Sequence, residues 1–291
     1  MRWTPGGRSE NLDDERGADG GGGGGGGGGF RGGRLGLGGL VVLVVLSVVF
    51  KRDLISPAIG LGGGASAPSA GAPRGASRAL NDSSEEREVR FMSNVLDSVQ
   101  TQWKRAVPQY TPARLVLFRN QVASACGEAQ AAAGPFYCPG DRKVYLDLGF
   151  FDQLKQQFGA PGEFAQAYVL AHEIGHHVQN LIGTERKMRQ ASQENPSMRN
   201  RLSVAMELQA DCYAGVWGYS AQKNGQLDAT DLEQGLGAAA AVGDDRLQKM
   251  ATGTVNRETF THGSSADRKL WFKRGFDSGD MNQCDTFASL R

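Results

Sequence analysis

Three residues in the stretch His172-Glu173-Ile174-Gly175-His176 have the types and the spacing of a metal-dependent hydrolytic site. An α-helix turns by about 100° per residue, so histidines four positions apart lie on one face and can direct a ring nitrogen to one point. Glu173 lies about 100° from His172 around the helix. Two imidazoles suit Zn²⁺, and a neighbouring carboxylate can take a proton from a water that the metal activates. The HExxH spacing therefore predicts a site for one zinc ion with its general base.

The alternative interpretation is a chance match on a solvated helix. The residues around the motif argue against it, because the apolar ones point in several directions, as is typical of a buried helix; they are Tyr168, Val169, Ala171, Ile174, Val178, Leu181 and Ile182. A buried helix must find partners for two imidazoles and a carboxylate. A bound metal ion would provide them.

A catalytic zinc ion takes three protein ligands and keeps a fourth position for water, so a further ligand must come from elsewhere in the chain. Glu207 and Asp211 are four positions apart in Glu207-Leu208-Gln209-Ala210-Asp211. We expect Glu207 to bind the metal and Asp211 to accept a hydrogen bond from the outer nitrogen of a ligand histidine. Glu185 and Glu194 are weaker alternatives to Glu207, because their surroundings are polar.

Of the two remaining histidines, one is not expected to take part in the site and the other is a candidate for stabilising the transition state. His177 points about 140° away from His172 and is not expected to bind the metal. His262 lies in Thr261-His262-Gly263-Ser264, shortly before Arg268. Peptide hydrolysis builds negative charge on an oxygen that profits from a positioned donor, and we expect His262 or Arg268 to supply it. A structural role for His262 at the entry of a helix is the alternative.

The N-terminal part of the chain has the composition of a non-globular region. Residues 1–34 form a polar head with an unbroken glycine run at 20–29, which we predict to be disordered. Residues 35–50 are sixteen residues without a charge, with Lys51 and Arg52 behind them. We predict a single transmembrane anchor at 35–52, a flexible linker at 53–80 and one catalytic domain at 81–291. A cleaved signal peptide is the alternative to the anchor.

Four cysteines, none of them arranged as CxxC, favour two disulfides in an oxidising compartment. We expect Cys126 to pair with Cys138 and Cys212 with Cys284, although the spacing alone does not determine the pairing. Four buried thiols in a cytosolic domain are the alternative. The net charge of +1 gives no sign of a nucleic-acid partner.

The predicted anchor and the expected disulfides together indicate a protein of the cell membrane with its catalytic domain outside the cytoplasm.

The apolar periodicity predicts a mostly helical α+β domain with a small sheet. Helices are expected from about 81 to 103, 198 to 220, 231 to 242 and 264 to 276, and strands at 114–119 and 143–148. The second strand precedes the HExxH helix. We expect it to form the edge of the sheet, where an extended peptide substrate can add a strand; an internal strand is the alternative.

With these motifs in order, the chain resembles the gluzincin zinc metallopeptidases and, more narrowly, the bacterial putative neutral zinc metallopeptidase family. The resemblance rests on the segments RWTPGGRSENLDDERG, ACGEA, GPFYCPGDRKVYLDL, AYVLAHEIGHHVQNLIG, ELQADCYAG and THGSSADRKLWF. It implies a membrane-anchored, zinc-dependent peptidase with a zincin-like domain. It also implies His172, His176 and Glu207 as zinc ligands and Glu173 as the base.

The expected activity is hydrolysis of peptide bonds within peptide or protein substrates. A zinc-containing binding or scaffold domain without turnover is the alternative from another class, and the intact Glu173 argues against it because a purely structural site needs no base. An aminopeptidase would need a group that holds the free amine of its substrate. We identify none in the sequence.

Overall fold

A computed structural model describes residues 1–4, 6–17, 83–130, 134–152 and 162–290. The principal helices within these residues are α1 (Ser83–Ala106), α2 (Glu163–Leu181), α3 (Thr184–Glu194), α4 (Arg199–Lys223), α5 (Ala229–Ala241), α6 (Asp244–Thr252) and α7 (Ser265–Ser278). The strands are β1 (Leu12–Asp14), β2 (Arg114–Phe118), β3 (Gln121–Ser124), β4 (Gly127–Gln130), β5 (Phe136–Cys138) and β6 (Lys143–Asp147). The expectation of a mostly helical α+β domain with a small sheet is confirmed.

The main sheet has the strand order β1-β2-β6-β5. Strands β1, β2 and β6 run parallel, and β5 pairs antiparallel with β6. Both predicted strands are present, but the expectation that 143–148 forms the edge of the sheet is wrong. Strand β6 is internal because the short strand β5, with only three residues, pairs along its outer side. Strands β3 and β4 form a separate antiparallel hairpin.

Residues 1–4 and 6–17 are part of the folded domain, so the prediction of a disordered head is wrong for this part. Strand β1 pairs with β2, and Trp3 packs on Phe91 of α1 with ring centroids 5.3 Å apart. Arg16 is buried, donates two hydrogen bonds of 2.7 Å to Asp14 and reaches Glu85 of α1 at 3.0 Å. From the polar composition we expected the entropy cost of ordering this segment to keep it disordered. The buried contacts offset that cost.

The remainder of the predicted head, the predicted anchor at 35–52, the whole predicted linker at 53–80 and residues 81–82 lie outside the described residues. Among the residues that are described, no helix combines the length and the apolar character needed to cross a membrane. The domain predicted from residue 81 is completed by strand β1, which the sequence places far upstream.

Helix α4 lies between α2 and α7 and brings their buried faces together. Gly275 of α7 touches the backbone of α4: a Cβ at this position would lie 1.9 Å from the carbonyl oxygen of Cys212. Gly175 of α2 approaches Ala210 in the same way, with 3.1 Å from an added Cβ to the Ala210 carbonyl oxygen. The glycine inside the HExxH motif therefore lets the histidine helix pack closely on the helix that carries Glu207.

Two disulfides are formed, and both expected pairings are confirmed. Cys126–Cys138 ties the β3–β4 hairpin to strand β5, and Cys212–Cys284 ties the C-terminal segment to α4. The alternative of four free thiols is thereby wrong, since the structure contains no free cysteine among the described residues.

Candidate metal centre

His172, His176 and Glu207 converge on one point between helices α2 and α4. Their ligand atoms all lie within 4.8 Å of one another. The two Nε2 atoms are 3.2 Å apart, and the Glu207 carboxylate oxygens lie 3.3 Å from His172 Nε2 and 3.6 Å from His176 Nε2. Gly175 has no side chain, so α2 can pack closely against Ala210 of α4, and this close packing brings the ligand atoms together.

These distances fit a tetrahedral zinc ion. Ligand bonds of about 2.0–2.1 Å at a tetrahedral angle place two donor atoms roughly 3.3 Å apart. The 3.2 Å between the two Nε2 atoms lies near that value, and Glu207 brings one carboxylate oxygen to 3.3 Å from His172 and the other to 3.6 Å from His176. Two imidazoles and one carboxylate also form the ligand set typical of a catalytic zinc site, which leaves a fourth position open.

The electrostatics of the site favour a bound cation. Burial lowers the pKa of His172, but its hydrogen bonds to Asp211 and Glu207 outweigh burial and raise that pKa to about 10. Burial raises the pKa of Glu207, yet the charge of His176 and the hydrogen bond from His172 hold it well below its usual range. A site that attracts a proton this strongly provides the negative potential that a metal cation needs.

Asp211 holds the outer edge of the His172 ring. Its Oδ1 lies 2.9 Å from His172 Nδ1, and the hydroxyl of Tyr168 donates to the same oxygen. A carboxylate accepts only, so Nδ1 carries the hydrogen and Nε2 keeps its lone pair for a metal. The carboxylate itself is paired with Arg268, whose Nε and Nη2 donate to it at 2.8 and 2.9 Å. Burial raises the pKa of Asp211, but the charge of Arg268 and the bond to His172 lower it further than burial raises it.

Glu173 is adjacent to His172 on α2 and is buried, with 8% of its surface exposed. It lies at the position that the HExxH spacing assigns to the base. Most of helix α2 is buried, which supports the sequence argument that the motif lies on a core helix and not on a solvated one.

His262 is oriented by Asp244 and interacts electrostatically with the candidate ligand Glu207. Its Nδ1 is 3.3 Å from the Asp244 carboxylate, which also accepts the backbone N–H groups of Thr261, His262 and Gly263. The charges of His262 and Glu207 act on each other. Burial lowers the pKa of His262, while the Asp244 hydrogen bond and the Glu207 charge raise it by more. His262 and Glu207 are thus close enough to interact electrostatically.

Arg268 occupies a different place from the one we expected. Its guanidinium is buried behind His172, where it bonds Asp211, the Tyr168 hydroxyl and the Val242 carbonyl. It contacts the Nδ1 edge of the ring, whereas the metal ligands meet at Nε2. Arg268 therefore serves the carboxylate that orients His172, and it is not placed to stabilise an oxyanion.

His177, Glu185 and Glu194 make contacts away from the candidate metal site. His177 bonds Tyr137 through Nδ1 at 3.0 Å and the Thr111 carbonyl through Nε2 at 2.7 Å, so both ring nitrogens have structural partners. Glu185 and Glu194 lie on α3, where they accept from Arg189 and Gln190, and they are not part of the cluster that could hold a metal.

Sequence reasoning missed three residues that support the site: Tyr168, Gln179 and Asp244. Tyr168 and Gln179 lie four residues before His172 and three residues after His176, so helical spacing offered a signal for both. Asp244 lies 18 residues from His262, and nothing local in the sequence links the two.

Two histidines and a carboxylate at zinc distances, with the motif's glutamate beside them, define a site of the zinc metallopeptidase class. The chain belongs to the family described as "putative neutral zinc metallopeptidase", whose model matches residues 1–287. The match therefore includes both strand β1 and the C-terminal segment bound by Cys284.

Several bacterial relatives share most of the chain. It is 50% identical over 209 residues to the uncharacterized protein YpfJ of Escherichia coli, covering 70% of this chain and 73% of the relative. It is 47% identical over 204 residues to the uncharacterized proteins Mb2605 of Mycobacterium bovis and Rv2575 of Mycobacterium tuberculosis, covering 66% of this chain and 68% of each relative. No solved structure matches the chain.

Proposed function

We propose that the protein is a zinc-dependent endopeptidase with His172, His176 and Glu207 as ligands. The observation that carries this proposal is the convergence of the three ligand residues, with the two Nε2 atoms 3.2 Å apart and Glu173 adjacent to His172 in the chain. When bound there, zinc lowers the pKa of water toward neutrality and polarises a carbonyl group. The protein's own residues then have to orient the metal ligands, move the proton and stabilise the developing charge.

Glu173 acts as the general base and then as the acid. It accepts the proton of the attacking water and delivers it to the amine that leaves, a role that typically contributes about 10²–10⁴-fold to the rate. His262, held through Nδ1 by Asp244, donates from its other ring nitrogen to the oxygen that becomes negative. Asp211 keeps His172 in the tautomer that leaves Nε2 free throughout.

Strand β5 is the proposed binding edge for an extended substrate. Within the described part of the chain it pairs with β6 alone, and the hydroxyl of its Tyr137 accepts from Asn180 of α2 at 2.8 Å, which fixes the strand beside the histidine helix. A peptide that adds to an exposed edge is recognised mainly through its backbone. This mode requires no free terminus and favours an endopeptidase over an aminopeptidase.

The two disulfides support a domain that works in an oxidising compartment outside the cytoplasm. The membrane anchor at 35–52 remains a prediction from sequence.

The test is zinc content and proteolysis of the full chain beside Glu173→Gln. We expect one equivalent of zinc in both proteins and hydrolysis of an unfolded protein such as casein by the parent alone, with a loss of at least about 10² in rate. Gln keeps the size of the side chain and removes the base. Residues 1–17 must be present in the protein, since strand β1 completes the sheet.

Three other outcomes would contradict parts of the proposal. Zinc in both proteins without cleavage by either would favour a binding or scaffold domain. Cleavage by both would show that Glu173 is not the base. Absence of zinc from the parent would remove the metal site itself.

A further inference from the structure

The second histidine ligand is held by an amide and not by a carboxylate. Nδ1 of His176 lies 2.9 Å from Oε1 of Gln179, whose side chain is fully buried. The amide nitrogen of Gln179 donates to the Met206 carbonyl at 2.7 Å and to Gln209 Oε1 at 3.1 Å. Because a carbonyl can only accept, the amide nitrogen must face Met206 and the amide oxygen must face His176. Nδ1 of His176 therefore carries the hydrogen, and Nε2 is free for the metal.

The hydrogen-bond chain continues in one direction to the C-terminal segment. Gln209 is buried, and its amide nitrogen donates to the carbonyl of Cys284 at 2.9 Å. That carbonyl also can only accept, so Oε1 of Gln209 must face Gln179. Every donor and acceptor from His176 to Cys284 is thus fixed by the two carbonyls, and both hydrogens of the Gln179 amide are used.

The Cys284 carbonyl is itself held in place by the disulfide to Cys212 of α4. Thr286, two residues further on, donates to the Ala205 carbonyl of the same helix at 2.6 Å. The disulfide joins residues separated by 72 positions, and Cys212 directly follows Asp211. One covalent bond therefore anchors the end of the chain that orients His176, next to the carboxylate that orients His172.

We infer that Gln179 and Gln209 are positioning residues through which the Cys212–Cys284 disulfide sets the zinc affinity of the site. The inference rests on the proposed metal site and adds a dependence of that site on the state of the C-terminal segment. When the disulfide is absent, Cys284 no longer holds its carbonyl at Gln209, and the amide of Gln209 loses its acceptor. Gln179 then loses one of the two bonds that fix its orientation toward His176.

The experiment measures zinc affinity by competition with a chromophoric chelator, together with thermal unfolding of the metal-free proteins. Gln179→Leu should lower the zinc affinity by about 10–100-fold, the usual effect of removing a partner of a ligand histidine. Gln209→Leu should lower it in the same direction and by less. The double variant Cys212→Ser/Cys284→Ser should behave like Gln209→Leu. Cys126→Ser/Cys138→Ser is the matched control, because that disulfide takes no part in the hydrogen bonds that link His176 to Cys284. The zinc affinity of this control variant should equal that of the parent.

The variants separate the inference from simple loss of stability. Gln209→Leu keeps both disulfides, so it tests the chain even where the cysteine variant fails to fold. Zinc binding by Gln179→Leu or Gln209→Leu as tight as that of the parent would overturn the inference. An equal loss of affinity in the two cysteine variants would overturn the role of Cys212–Cys284. A parent that binds no zinc would instead overturn the proposed metal site.

Discussion

Nδ1 of His172 lies 2.9 Å from Oδ1 of Asp211, on the edge of the ring opposite to the one that faces Glu207. This relationship joins the metal site to the buried charge of Arg268, which bonds the same carboxylate. Ligand orientation and core stability thus depend on one side chain.

Asp211→Asn is expected to weaken zinc binding by about 10–100-fold, because an amide holds His172 less strongly than a carboxylate. It should also lower the free energy of unfolding by about 3–5 kcal/mol, since Arg268 loses the charge that balances it in the core. Chelator competition and urea unfolding measure the two effects. Asp277→Asn, an exposed carboxylate on α7, should change neither appreciably. Full zinc affinity in Asp211→Asn would show that the Nδ1 contact is dispensable.

His262→Phe is expected to lower kcat by about 10²-fold with little change in zinc content, because it removes a donor to the developing negative charge and no metal ligand. His176→Gln is the contrasting variant and should lose both zinc and activity. The measurements are steady-state proteolysis and metal analysis of the same preparations. A variant at position 262 that cleaves as fast as the parent would assign His262 to the structural role that we considered as the alternative.

Glu88 on α1 should make the protein less stable as the pH rises from about 4.5 to about 7. Burial, with a contribution from the charge of Asp152, raises the pKa of Glu88 from its usual 4.5 to about 7, although Gln166 donates to it. The folded protein holds a proton in this window that the unfolded chain has released, so the free energy of unfolding falls with rising pH.

The variant Glu88→Gln should therefore melt at a higher temperature than the parent at pH 8, and the difference should shrink toward pH 5.5. Glu86→Gln is the opposite control on the same helix. Its hydrogen bond from Arg8 lowers the pKa of Glu86, so neutralising it should reduce stability at pH 8. Melting curves that differ from the parent by the same amount at both pH values would contradict the pKa of Glu88.

Gly275→Ala should lower the free energy of unfolding by about 1–3 kcal/mol or more, because its Cβ would lie 1.9 Å from the Cys212 carbonyl oxygen and backbone cannot yield there. Gly237→Ala is the matched control in α5, where an added Cβ meets nothing within 4 Å. That substitution should stabilise the helix by roughly 0.5–1 kcal/mol. Urea midpoints of the two variants should move in opposite directions.

Arg16→Met should lower the free energy of unfolding by about 1.5–3 kcal/mol, because it removes buried hydrogen bonds between charged groups while keeping most of the side-chain volume. Arg90→Met removes an exposed partner of Glu86 and should cost only about 0.3–0.5 kcal/mol. Equal stability of the Arg16 variant and the parent would mean that strand β1 is not held by this contact.

The metal site could be predicted in large part because its residues lie on two helices with regular spacing. His172 and His176 share a helix face, and Glu207 and Asp211 share another. Arg268 shows the limit of this reasoning. Arg268 lies close to His262 in sequence, but only the packing of α7 on α4 shows that its guanidinium pairs with Asp211.

The fold could be predicted where apolar residues recur over several turns, as in α1 and α4. Strands β1 and β5 have three residues each, which is too few for a pattern of alternation. Strand β1 also lies in a polar segment near a glycine run, and its pairing with β2 depends on contacts about a hundred residues away in sequence. The polar helix α3 has no buried face that could have indicated it.

The contact between Arg16 and Glu85 joins positions 69 residues apart and constrains how the chain can cross a membrane. Residues 17 and 83 border the part of the chain that the structure does not describe, and both belong to the same folded domain. A path that starts and finishes on the same face of a bilayer crosses it an even number of times. A single-pass topology would therefore require β1 to leave the sheet, and while β1 stays paired, the first strand and the metal centre share one compartment.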